Sequence, residues 1–243
     1  SNCYSMGIEV IPPSINFSGI DFTIKKDQIL FGLSAIKNLG DSAINNIIEN
    51  RTKKGIFKSL SDLCDRLPSN ILNKRNLESL IHCGALDEFS ENNNRAQLIS
   101  DLETVIEWAS SRNRDRISGQ GNLFYSSDQN SNSVFLQTKR SKVNDYSLIE
   151  KLRLEKQLLG FYLSDHPLKH LARPAKLVSP LAISQLDECH DRSKVSLVGM
   201  IPELRQITTR KGDRMAIVQL EDLSGSCEAI VFPKTYARLS EFL

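Results

Sequence analysis

Two stretches of this chain carry no apolar side chain: SSRNRDR (Ser110–Arg116) and SSDQNSNS (Ser126–Ser133). Neither can join a core, so the apolar residues must be buried separately on the two sides of this polar zone. The two sides differ in period. Upstream, apolar residues recur at helical spacing, as at Ala43, Ile44, Ile47 and Ile48, and again at Leu98, Leu102, Val105, Ile106 and Ala109. Downstream of Lys194 the pattern is that of strands, in KVSLVGMI, RMAIVQLED and SCEAIVF. One layer cannot serve both periods, so an α+β multidomain chain is expected. Inside the polar zone stands QGNLF. Leu123 and Phe124 have no local means of burial, and nothing nearby offsets the entropy of ordering them. They point to a pocket supplied by something else.

The bulk numbers narrow the class. The chain has 243 residues, is 40% hydrophobic and 25% charged, and carries a formal net charge of +2. That excludes a strongly basic chain but leaves room for local phosphate-binding clusters. The five cysteines (Cys3, Cys64, Cys83, Cys189, Cys227) form no CxxC pair and are odd in number. They read as mostly buried free thiols of a reducing, cytoplasmic compartment rather than a disulfide framework or zinc site. No apolar run nears the roughly 20 residues of a membrane span, and no membrane partner is expected. The start, SNCYSMGIEVIPP, and the end, SEFL, read as those of an excised piece.

Five segments follow from the patterning. Residues 1–30 read as short strands, with a hairpin around Lys26-Asp27. Residues 31–112 are helical: DSAINNIIENR with Asp41 as a cap after Gly40, then Ser59–Leu67, Leu72–Cys83 and Asn94–Ser111. Residues 113–147 are the polar linker. Residues 148–190 hold a helix stopped by Gly160, then a strand-like FYLSD and a connector. Residues 191–243 are β, with strands at about Lys194–Ile201, Met215–Glu221 and Ser226–Phe232, followed by a helix from Pro233.

IKNLGDSAINNI (Ile36–Ile47) carries the clearest binding signal. A short helix ends at Lys37, Asn38-Leu39-Gly40 turns, and a second helix starts at once: a helix-hairpin-helix pattern. Leu39 locks the two helices. Gly40 permits positive φ and a close phosphate approach. The free amides of Asp41, Ser42 and Ala43 at the new helix start favour an anion. The usual hairpin has glycine on both sides of the apolar residue; Asn38 takes the first place here, and Asn tolerates left-handed φ. Lys37, Arg51, Lys53 and Lys54 are nearby cations, and residues 31–58 hold five Lys/Arg against two acids. A second, weaker hairpin is expected at IHCGALDEF (Ile81–Phe89), with Lys74, Arg75 and Arg95 as its cations. Its Gly84 is equally explained as a helix stop.

The β region has three strands in the order of an OB-fold, with a basic hairpin of Arg205, Arg210, Lys211 and Arg214 against Asp213. Such a face binds single strands, although Phe232 is its only aromatic. His82, His166, His170 and His190 are scattered. No catalytic constellation or metal-ligand set stands out, so no catalytic residue, metal or cofactor is expected.

GIEVIPPSIN, FGLSAIKNLGDSAI, NKRNLESLIHCGALD, LEKQLLGFYLSDHPL and the OB-like stretch occur together and in order. This set closely resembles the C-terminal half of the bacterial replicative C-family DNA polymerase III α subunits. The resemblance implies that residues 1–30 end a fingers domain and that residues 31–112 form the tandem helix-hairpin-helix part of a clamp-binding domain. It implies that Gln120, Leu123 and Phe124 form an internal motif for the β sliding clamp. It also implies contact with double-stranded DNA, with single-stranded template through the OB-fold, and with other replisome subunits. The family's catalytic carboxylates, and the Mg²⁺ they hold, belong to a palm domain ahead of this segment. The OB barrel then lacks its last two strands. Two other readings stay open on the residues alone: a DNA-repair accessory region with helix-hairpin-helix and OB parts, or an OB-fold RNA-binding module.

Overall fold

The β-rich start folds as a small mixed sheet. β1 (Glu9–Ile11) pairs parallel to β3 (Gln28–Leu30), and β2 (Thr23–Lys25) pairs antiparallel to the other edge of β3. The expected hairpin is present, with its turn, Lys26-Asp27, outside the described residues. The computed structural model describes residues 8–25, 28–118, 142–165 and 167–241. These fall into two compact units, Cys3–Ser164 and Asp165–Leu243. In the first, Pro12 to Ser18 is stitched to the helices by its own polar groups. Asn16 donates to Phe57 O (2.9 Å) and accepts from Phe57 N (2.8 Å), and Ile15 N donates to Ala85 O (2.9 Å). A side-chain amide thus supplies both halves of a strand-like pairing, which leaves Ile15 and Phe57 free to be buried.

Among the described residues, five helices complete this unit: α1 (Asp41–Lys54), α2 (Leu60–Arg66), α3 (Lys74–His82), α4 (Arg95–Ser118) and α5 (Leu148–Leu159). Their starts are legible in side-chain caps. Ser59 accepts from Asp62 N, Asn73 and Asn76 form a reciprocal box, and Ser147 accepts from Glu150 N. The core runs from Phe31, Leu33 and Ile44 through Leu63, Leu77, Leu80 and Ile81 to Leu98 and Leu102.

The polar linker is shorter than the sequence indicates. Asn113 to Arg116, read as its beginning, lie in the last part of α4, which continues to Ser118. Polarity excluded burial but not helicity, since Arg is a good helix former. Arg112 and Arg116 both reach the Asp65 carboxylate (3.4 and 2.6 Å), and Arg112 lies over the Trp108 ring. At the far end, residues 142–147 pack back on the start of α4. FYLSD, read as strand-like, is irregular backbone after Gly160; among the described residues no strand pairs with it.

The second unit has α6 (Ala172–Val178) and a three-stranded antiparallel sheet of β4 (Met200–Thr208), β5 (Arg214–Glu221) and β6 (Ser226–Val231), followed by α7 (Pro233–Leu239). Tyr236 of α7 packs with Ala216 and Val218. The first strand is displaced from its expected place at 194–201. Pairing with β5 begins at Met200, shifts register before Glu203, and then runs without a break to Thr208. Pro202, which has no N–H to give to a ladder, falls inside the shift. The mixed α+β character expected from the pattern is therefore present.

Candidate nucleic-acid interface

The first hairpin is built on a single 3-10 turn, Leu33–Ala35, instead of a full helix. Leu39 is 7% exposed and sits in the core, so the turn cannot swing away from the body. The left-handed residue is Asn38, at φ 69°, whereas Gly40 has φ −82° and ψ 159°. The expected positive φ at Gly40 is thus found two residues earlier. Gly40, not Asp41, is the N-cap of α1; Asp41 is the first residue of the helix itself. Gly40 offers no side chain to the first-turn amides, and a Cβ placed there would meet nothing within 4 Å. The fold does not need glycine at this position. What a missing side chain provides is open access to amides whose dipole favours an anion. Lys37, Asn38, Gly40, Asp41 and Ser42 are all exposed, while Ala43 is buried.

The second hairpin is spatially different. Gly84 has φ 87°, and a Cβ there would overlap the Arg95 guanidinium. Arg95, counted above as an available cation, is 4% exposed. It is fixed on Asp87 through two bonds of 2.8 Å, on Glu155 at 3.0 Å and on His82 O at 3.0 Å. Burial alone would lower its pKa; Asp87 and Glu155 outweigh that and raise it, so it stays charged. Two 3-10 turns, Asp87–Phe89 and Glu91–Asn93, separate this glycine from the next helix. The first-turn amides of α4 are already occupied: Asp145 accepts from Arg95 N (3.0 Å) and Ala96 N (3.3 Å), and Asn94 accepts from Gln97 N (2.9 Å). Burial disfavours the Asp145 carboxylate, but Lys151 and the Ala96 and Tyr146 amides prevail and lower its pKa. A carboxylate of the chain itself stands where an external anion would have to bind.

A family model described as the helix-hairpin-helix motif matches residues 7–98, which takes in the sheet, both hairpins and the start of α4. Over 241 residues the chain is 38% identical to DNA polymerase III subunit alpha of Thermus aquaticus, a match covering 97% of this chain and 19% of that protein. Over nearly its whole length the chain is homologous to DNA polymerase III α subunits. The subunit of the same name from Deinococcus radiodurans is 38% identical over 250 residues, covering 98% of this chain and 18% of its own length. That of Bacillus subtilis is 34% identical over 237 residues, covering 98% and 20%. The chain therefore spans about a fifth of the length of these α subunits.

The other expected site residues are dispersed. Lys53 and Lys54 are exposed but lie at the far end of α1, roughly 18 Å from its start at about 1.5 Å per residue, and Lys53 is paired with Glu49. Arg51 is turned inward on the carbonyls of Ile15 and Ser18. Lys74 pairs with Glu103 (3.0 Å), and Arg75 is exposed. In the second unit Arg205 and Arg214 fall on opposite faces of the sheet. Arg205 is opposite Ile217, and Arg214 is opposite Thr208, an odd number of residues away along each strand. Arg210 and Lys211 are on the turn between β4 and β5. Gln120, Leu123 and Phe124 lie outside the described residues, as does His166. Cys64 and Cys83 are buried, with burial pushing both thiols up to about 12; Cys189 and Cys227 are partly exposed, and Cys3 lies outside the described residues. Among the described residues no helix is long and apolar enough to cross a membrane.

Sequence reasoning missed two groups of residues. Asp145 closes the second hairpin from 50 positions away, and Asn76 and Ser79 hold the first from about 40. No local signal marks such partners.

Proposed function

We propose that this segment binds double-stranded DNA without reading its sequence, through the first hairpin, as part of a replicative polymerase. The observation that carries the reading is the uncapped, exposed start of α1 behind a buried Leu39, beside an exposed Lys37. The amides of Asp41 and Ser42, the open Gly40 and Lys37 form a phosphate cradle of the kind that positions a protein on a duplex and ignores base edges. Lys53 and Lys54 serve a different phosphate of the same duplex, given their distance along α1. The second hairpin is structural in this reading. The test is anisotropy of a labelled duplex across a salt series. With about three phosphates neutralised, log K should fall with log salt at a slope near −3. Lys37→Glu should weaken binding and flatten that slope; an unchanged slope would refute the reading.

Attachment to the β clamp through Gln120, Leu123 and Phe124 is the second reading. An apolar pair isolated in a polar stretch supports it, and Gln120 follows two residues after the end of α4. Leu123→Ala with Phe124→Ala should abolish capture by a bacterial clamp. Single-strand contact by the β4–β5 turn, through Arg210 and Lys211 with Arg205 or Arg214, is proposed as weak and electrostatic, because stacking residues are scarce.

A further inference from the structure

We infer that Asn76 and Ser79 of α3 are positioning residues for DNA binding, holding Asn38 of the first hairpin in the left-handed conformation that a glycine would reach unaided. The inference rests on the duplex-binding reading above. Its starting point is a mismatch between position and residue type. Asn38 sits at φ 69°, where any residue with a Cβ is disfavoured, even though Asn is the mildest case. The peptide that follows it must point Leu39 into the core and deliver Gly40 to the start of α1.

The surroundings over-determine that one residue. Asn76 is 7% exposed, and its Nδ2 donates to the Asn38 carbonyl. Ser79, 3% exposed, accepts from Asn38 Nδ2 at 3.2 Å. On one side of Asn38, Lys37 N donates to Leu158 O at 3.1 Å; on the other, Leu39 N donates to Ile36 O at 3.3 Å. Both the carbonyl and the side chain of Asn38 are thus gripped by α3, one of the two helices flanking the second hairpin. That hairpin does not present its own amides, but its leading helix sets the backbone of the one that does.

Asn76 has a separate duty that has to be kept apart. Its Oδ1 accepts from Asn73 N, closing the cap of α3. Asn76→Asp keeps that acceptor and replaces the donor to Asn38 with a carboxylate oxygen that faces the Asn38 carbonyl. Ser79→Ala removes the anchor of the Asn38 side chain and nothing in the cap.

The decisive experiment is a double-mutant cycle on the whole 243-residue chain, read by duplex anisotropy and by thermal unfolding. In the native background Ser79→Ala should weaken duplex affinity about two- to tenfold, the range of one net hydrogen bond. Asn38→Gly alone should retain affinity within about twofold, since glycine takes positive φ freely. In the Asn38→Gly background Ser79→Ala should change nothing, because the side chain it anchors is gone. Asn76→Asp should weaken binding in the native background more than in the Asn38→Gly background. Equal losses in both backgrounds mean that α3 acts only on stability and overturn the inference, as does unchanged affinity in Ser79→Ala. Loss of binding in Lys37→Glu checks the parent reading separately: if that loss is absent, it is the duplex proposal that fails.

Discussion

The two hairpins of this chain carry the same sequence signal, a turn with glycine leading to a helix, and end up as opposites. At the first, Gly40 has negative φ and empty space around it, and the helix start behind it is exposed and uncapped. At the second, Gly84 has positive φ and lies against Arg95, and the helix start is closed by Asp145. Glycine serves access in one and packing in the other. The difference lies in the neighbours: an arginine that must be buried needs room, and a carboxylate returning after the linker takes the amides. A hairpin motif therefore names a backbone shape, and the partners decide whether the shape is available to a ligand.

The comparison can be broken most forcefully at Arg95. Arg95→Ala leaves Glu155, 1% exposed, buried with its charge unpaired, and should cost about 3–5 kcal/mol in urea unfolding. A loss below about 1 kcal/mol would show that the second hairpin does not depend on this pair. Gly84→Ala forces both a clash and left-handed backbone and should cost about 2–3 kcal/mol. Asp145→Ala removes a cap and should cost about 1 kcal/mol; if it also raises duplex affinity, the second hairpin is a binding site held shut. Gly40→Ser sharpens the contrast, since it adds a good cap where nothing collides. Its stability should be unchanged or higher by a few tenths of a kcal/mol, while duplex affinity falls. Parallel loss of stability and binding would erase the distinction between the two glycines.

The smallest effect is one of pH. Burial, reinforced by Arg95 and opposed by Glu78 and Glu150, lowers the pKa of His82 from its ordinary 6.5. Between that lowered value and 6.5 the unfolded chain binds more protons, so stability should decrease as pH falls through this window. Comparing urea midpoints at pH 7.5 and 5.5 in the native chain and in His82→Asn checks it: the variant should lose less on acidification.

Much of the frame was legible in the residues. Helices lie within the expected spans Ser59–Leu67 and Leu72–Cys83, Gly160 ends α5 at φ 91°, and the apolar stripe of α4 is buried or half-buried as its spacing requires. The misreadings share a cause. The polarity from Asn113 to Ser118 reads as linker, but Asp65 on another helix supplies a partner for Arg116. The alternation of KVSLV predicts β4 too early, because pairing is decided by where β5 can meet it and by Pro202. Arg51 and Arg95 read as nearby cations, because a sequence shows charge but not what the charge faces.

The sequence by itself determined most of the helical and extended segments and the turn at Asn38-Leu39-Gly40, because these rest on short-range periodicity and on residue types at fixed spacing. Only the tertiary structure decided which hairpin stays open. That choice depends on Asp145 reaching the start of α4 and on Asn76 and Ser79 reaching Asn38, contacts between residues some 40 to 50 positions apart. Side chains so far apart in sequence meet only after the core has packed, and their hydrogen bonds form at whatever amides that packing leaves unsatisfied.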